Sequence, residues 1–237
     1  MSRAKSEKLL LQDRDVNIFK YLDRVGYANL EQITEFIHDD ISEKTQNALL
    51  RRLYLLRRFE YLKAHHTQLG LYYSLTNKSK LTNRLIGGIK YDLLLHHNFL
   101  LKLFYLVRDL DVLTEREVLA KYKLIGKNGK IPDMIVNEWV IEYERTNKSV
   151  KDSQEVINYW VIEQSKKLCV IYESEEIKTR YQKLITSDRV RLLSSSSYED
   201  LLKIVNNEDK KVNDEYNDEL KHVKHVNALD GILDKYK

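Results

Sequence analysis

One cysteine and one proline are all that these 237 residues hold of either. The lone Cys169 excludes an internal disulfide and suits a reducing, cytoplasmic setting. Its apolar neighbours, LCVIY, read as core. No apolar run reaches the roughly 18 residues that mark a membrane span, so no membrane partner is expected. The opening MSRAKSEK is polar and lacks the core of a secretory signal. Also missing are a glycine-rich phosphate loop, a Cys/His zinc spacing and a GxSxG elbow. His65-His66 and His96-His97 are adjacent pairs, and no His-x-His triplet occurs. His222 and His225 would share a helical face near the end, but two histidines without a third ligand are a weak metal signal.

What is present is charge. Forty lysines and arginines face 36 acids, a net +4 that permits nucleic-acid binding without requiring it. Residues 13–76 read as a winged helix-turn-helix. Asp13 would cap a helix carrying Val16, Phe19, Leu22 and Val25, ended by Gly26. Asn29 would cap a second helix with Leu30, Ile33 and Ile37. Ser42 would cap a third, with Leu49, Leu53 and Leu56 inward and Lys44, Gln46, Asn47, Arg51, Arg52, Arg57 and Arg58 outward. Tyr61 to His65 and Leu71 to Leu75 alternate as a two-stranded wing around Gln68-Leu69-Gly70. In the third helix the lysine and arginines suit phosphates, and Gln46 and Asn47 suit base edges in a major groove. The alternative is a three-helix protein–protein module with a solvated basic face.

Asn77 to Lys90, with Gly87-Gly88, reads as a linker. A strongly apolar helix follows, with Leu93, His97, Leu100, Leu101 and Phe104 on one face. Thr114 and Glu117 have the spacing of a capping box. Then comes the stretch IPDMIVNEWVIEYERTNK, residues 131–148. Pro132 biases Ile131 toward extended structure. Met134 to Val136 reads as a strand, Asn137-Glu138 as a turn and Trp139 to Arg145 as a second strand. Glu142 and Glu144, two apart on that strand, share a face, and the hairpin would bring Asp133 near them. Two readings are open. The acids are simply solvated, or they hold a hard divalent cation, Mg²⁺ or Mn²⁺, which prefers oxygen ligands. Beyond the hairpin the order is helix (Ser149 to Lys166), strand (Leu168 to Tyr172), helix (Glu175 to Ile185), strand (Val190 to Leu193), helix (Ser197 to Val205). That order suits a sheet with helical crossovers. From Asn206 the chain is acidic and lysine-rich, a tail with little apolar periodicity.

An Asp directly after a lone Pro, a hairpin and then Glu-x-Glu resembles the PD-(D/E)xK nucleases, with Glu144 where a lysine is expected. Taken in order, the winged helix, the helix with His97, Glu115-Arg116-Glu117-Val118-Leu119, Pro132-Asp133 and Glu142-x-Glu144 resemble the replication-relaxation family. That family includes plasmid relaxases of the C-type mobilization group. The likeness covers roughly residues 10 to 195. It implies an α+β protein: a winged helix-turn-helix (1–83), an α/β PD-(D/E)xK nuclease-like domain (84–205) and a charged tail (206–237). It implies a metal-dependent nickase acting on double-stranded plasmid DNA at an origin of transfer, with relaxosome or coupling proteins as partners and room for a homodimer. The matching set is His97, Glu115, Asp133, Glu142 and Glu144, with His96 and Glu117 as the neighbouring alternatives. Asp133 and Glu142 would bind the cation directly, and Glu115 would do so directly or through water. Glu144 would bind a second metal or orient water. His97 would be a ligand or proton shuttle, and Lys148 would stabilise the phosphate. The departure at Glu144 keeps a second function open: a catalytically inactive DNA-binding relaxosome accessory or replication-control protein.

Overall fold

The structure is a computed structural model that describes residues 9–38, 42–79, 93–122, 131–146 and 149–206. The chain is a mixed α/β protein with one three-stranded and one five-stranded sheet. Most of the linker expected from Asn77 to Lys90, the turn at Lys127 to Lys130, Lys148 and the tail beyond Asn206 lie outside the described residues. No helix among the described residues is long and apolar enough to cross a membrane.

The first helix, α1, spans Asp13–Val25. Gln12, not Asp13, is its N-cap, and the Asp15 carboxylate accepts the Gln12 N–H at 2.7 Å. Gly26 ends it at φ 90°, a backbone setting that favours glycine. A short strand that the sequence did not announce, β1 (Tyr27–Asn29), leads into α2 (Leu30–Ile37). Asn29 and Gln32 cap that helix reciprocally, at 2.9 and 3.0 Å. Ser42 caps α3 (Glu43–Arg58), whose Leu49, Leu53 and Leu56 are fully buried. The strands β2 (Leu62–Thr67) and β3 (Gly70–Leu75) form an antiparallel hairpin. β1 pairs antiparallel with the free edge of β3, giving the order β1-β3-β2.

The second sheet begins after α4 (Leu94–Leu106). Its strands are β4 (Val112–Thr114), β5 (Met134–Val136), β6 (Trp139–Glu144), β7 (Lys167–Tyr172) and β8 (Val190–Ser194), in that spatial order. β4, β5 and β6 run antiparallel, while β6, β7 and β8 are parallel. The hairpin strands fall where the residue pattern put them, and Asn137 makes the turn at φ 53°. The edge strand β4 was not foreseen. α5 (Glu115–Tyr122) links β4 to the following segment. α6 (Val150–Ile157) continues into a wider π-helical turn, Asn158–Glu163, and α7 (Glu175–Leu184) forms the next crossover. A 3₁₀ turn (Ser195–Asp200) and α8 (Leu201–Val205) follow β8.

β6 is buried along its whole length. Trp139, Ile141 and Tyr143 join a core that also holds Leu101, Leu103 and Phe104 of α4. Val140 joins the opposite core, with Trp160, Tyr181 and Val118. The first of these cores reaches on without a break into Ile18, Leu22, Leu49 and Leu53 of the N-terminal helices. α4 is the shared element. Phe104 stacks on Phe36 at 6.2 Å, Asn98 accepts from Tyr72 Oη at 2.8 Å, and Phe99 stacks on Tyr143 at 4.0 Å. Being apolar nearly all round, α4 can bury opposite sides against two layers at once.

Candidate functional site

Asp133 sits just before β5. The β5–β6 pairing begins one residue later, with Met134 opposite Ile141, which puts Asp133 at the end of the hairpin that carries Glu142. Its carboxylate is nevertheless turned to α4. Oδ1 lies 3.0 Å from His96 Nε2, and Oδ2 accepts the Tyr143 N–H at 2.7 Å. The His96 ring lies 5.1 Å from that of Tyr143. Tyr143 Oη donates to Glu173, whose carboxylate also meets Arg145 at 3.7 Å. Burial first, then the Glu173 contact, pushes the Tyr143 phenol well above its usual range, so it remains a donor.

The structure separates the two neighbouring histidines. His97, expected in the functional set, bonds the Tyr27 carbonyl at 2.8 Å and stacks on the Tyr27 ring at 3.9 Å. Burial lowers its pKa to about 4, so it is neutral near pH 7 and can give its Nε2–H to that carbonyl. It fastens α4 to β1, and His96 is the residue on Asp133. The helical spacing explains this: His96 and Phe99 meet the large sheet through Asp133 and Tyr143, while His97 and Phe104 reach β1 and α1 through Tyr27 and Tyr21.

The glutamates separate as well. Glu117 reaches back to the Thr114 N–H at 2.9 Å and pairs with Arg24 at 3.1 Å, so it is a structural cap and tie. Arg24 also donates to the Val112 carbonyl at 2.6 Å, and Thr114 Oγ1 donates to the Arg24 carbonyl at 2.9 Å. Glu115 is exposed at the head of α5. Its N–H donates to the Asp133 carbonyl at 3.0 Å. Glu115, Asp133, His97, Arg24 and Arg116 border a small pocket of about 50 Å³.

Glu142 and Glu144 do share a face, but it is the Val140 side, under α6 and α7. They are 3% and 1% exposed, which removes the solvated reading. Tyr181 Oη donates to Glu144 at 2.9 Å. Burial, followed by the Glu144 and Glu142 charges, pushes that phenol far up and keeps it protonated. The expected convergence of Asp133, Glu142, Glu144, Glu115 and His97 is therefore not the arrangement seen. Among the described residues no three His, Cys, Asp or Glu side chains come together in a way that could hold a metal ion. With Asp133 engaged by His96 and the Tyr143 N–H, the residues as arranged do not fit Mg²⁺ or Mn²⁺.

On α3 the outward set divides. Lys44, Asn47, Arg51, Arg57 and Arg58 are exposed, and Gln46 is half-buried. Arg52 faces inward. Its Nε meets Asp15 Oδ1 at 2.8 Å, Nη2 bonds Asp15 Oδ2, and Nη2 also donates to the Leu10 carbonyl at 2.8 Å. Arg52 anchors α3 to α1 and leaves the presented surface. The pattern of alternating charge could not reveal this, because a buried Asp15 partner looks like an ordinary first-turn acid. No family model, no curated protein and no solved structure matches the chain.

Proposed function

We propose that the chain is a plasmid DNA-binding protein of the replication-relaxation type that grips duplex DNA through α3. The observation that carries this reading is the face of α3: Lys44, Asn47, Arg51, Arg57 and Arg58 stand in solvent on a helix held rigidly by three fully buried leucines. The β2–β3 hairpin beside that helix supports a winged helix-turn-helix, in which the hairpin would be the wing. Arginine and lysine there would meet phosphates, and Asn47 would reach a base edge. The larger sheet, an antiparallel β4-β5-β6 meander continued by parallel β7 and β8, supports a PD-(D/E)xK-like scaffold. Because Asp133 and the two glutamates are engaged in separate internal contacts, the accessory or replication-control role comes first.

The test is duplex binding as a function of salt. Arg51→Ala is expected to weaken binding and to reduce the slope of log affinity against log salt by about 1. Wild-type binding that is absent, or that is blind to salt, sinks the reading.

The place of Asp133 at the end of the hairpin that carries Glu142 favours a second reading, a site-specific nickase at an origin of transfer. It requires Asp133 to release His96 and turn across the hairpin. Mn²⁺-dependent opening of a supercoiled plasmid carrying the origin, lost in Asp133→Ala while duplex binding persists, would place that reading first.

A further inference from the structure

Between α3 and β3 runs an open groove of about 560 Å³, bordered by Leu50, Tyr54, Leu71 and Tyr73 with Arg51 and Arg57 beside them. Its size falls in the range of about 300–1,000 Å³ that small-ligand sites occupy. Leu50 and Tyr54 are one helical turn apart on α3 and are 41% and 61% exposed, so they stand together as one apolar patch at the groove. Arg57 and Tyr73 both line it, and burial raises the Tyr73 phenol's pKa while the Arg57 charge works against that rise. Among the described residues no carboxylate lines it.

We infer that this groove takes one unpaired nucleotide of single-stranded DNA, its base against Tyr54 and Leu50 and its phosphate between Arg51 and Arg57. The combination of an aromatic face with flanking cations is what single-strand sites use: stacking is indifferent to sequence, and the cations follow the backbone. A duplex cannot fill the groove in this way, because its bases are already stacked and paired. A second copy of the chain is disfavoured, since a two-fold contact here would set the arginines of one copy against those of the other. The inference goes beyond duplex binding: Arg51 and Arg57 serve both readings, whereas Tyr54 and Leu50 serve this one alone.

The experiment uses the full chain and two probes, a fluorescein-labelled single-stranded oligonucleotide and the same strand carrying 2-aminopurine. Anisotropy reports affinity, and 2-aminopurine quenching reports stacking. Wild type is expected to bind and to quench. Tyr54→Ala should lower single-strand affinity about tenfold and abolish quenching, whereas Tyr54→Phe, which keeps the ring, should retain both. Circular dichroism identifies any variant that has lost its fold, and Leu50→Ser on the same groove gives an independent second variant. Single-strand binding without quenching, or a Tyr54→Ala protein that binds and quenches like wild type, overturns the inference. So does light scattering that shows a dimer broken by Tyr54→Ala, which would give the groove to a second copy. Duplex binding is measured alongside: its failure with single-strand binding intact removes the duplex reading and leaves this one standing.

Discussion

Arg52→Ala is expected to behave as a stability mutation, not as a DNA-binding mutation. The Asp15 side chain is 0% exposed, and that of Arg52 is 10% exposed. Burial alone would raise the Asp15 pKa, but the Arg52 hydrogen bond, the Gln12 N–H and the charges of Arg52 and Arg14 outweigh it and hold the pKa below 3.8. Truncating Arg52 leaves a carboxylate inside the protein with the Gln12 N–H as its remaining hydrogen bond seen here. Removing one partner of a buried pair costs about 3–5 kcal/mol. In a chain of this length each kcal/mol lowers Tm by roughly 2–4 °C, so a fall of about 10 °C is the central expectation. Thermal unfolding followed by circular dichroism measures it. The pH dependence provides an internal check. A carboxylate whose folded pKa is depressed contributes stability above its unfolded value, and that contribution is lost as pH falls through the folded value. The gap between wild type and Arg52→Ala should therefore be full at neutral pH and narrow as the medium becomes acidic enough to protonate the variant's unpaired carboxylate. A variant melting within about 1 °C of wild type, with a shallower salt slope for duplex binding, would refute the assignment and return Arg52 to the face proposed for DNA.

Three further outcomes are expected. Tyr181→Phe removes the donor to buried Glu144 and should destabilise by about 1–3 kcal/mol in chemical denaturation; an unchanged midpoint would mean Glu144 is satisfied without it. His97 has a folded pKa of about 4 against an ordinary 6.5, so the unfolded chain takes up the proton first and stability should fall as pH drops from 6.5 toward 4. Urea midpoints for wild type and His97→Phe across that window test this, with a flatter profile expected for the variant. A fragment ending at residue 83 lacks α4, which covers Tyr27, Tyr72, Tyr21 and Phe36. It should melt less cooperatively, and at lower temperature, than one ending at Val107; equal melting would show that the N-terminal helices close their own core.

Local signals were legible in the sequence where one face or one cap decided the structure. Asn29 with Gln32, Ser42 ahead of Leu49, Leu53 and Leu56, and Asn137-Glu138 between two β-branched runs each specify an element by contacts within a few residues. β1 and β4 were missed because three-residue strands carry no period, and neither has a hairpin turn beside it of the kind that marks β5; each lies alongside a partner strand, β3 or β5. The candidate site was legible at the level of the hairpin and illegible at the level of side chains. Glu142 and Glu144 share a face by strand geometry, as expected. Which face, and whether Asp133 turns toward it, depends on α4, 37 residues upstream of Asp133 through His96. That helix also explains the choice between the histidines. Reading it as amphipathic singles out His97 as the polar residue stranded on an apolar stripe. LLHHNFLLKLFYL is apolar on two sides, however, and a helix of that kind has two inward faces to supply. His97 belongs to the face that ties down β1, and His96 to the face that meets Asp133. The same helix therefore holds the N-terminal helices to the large sheet and, through His96, sets the orientation of Asp133.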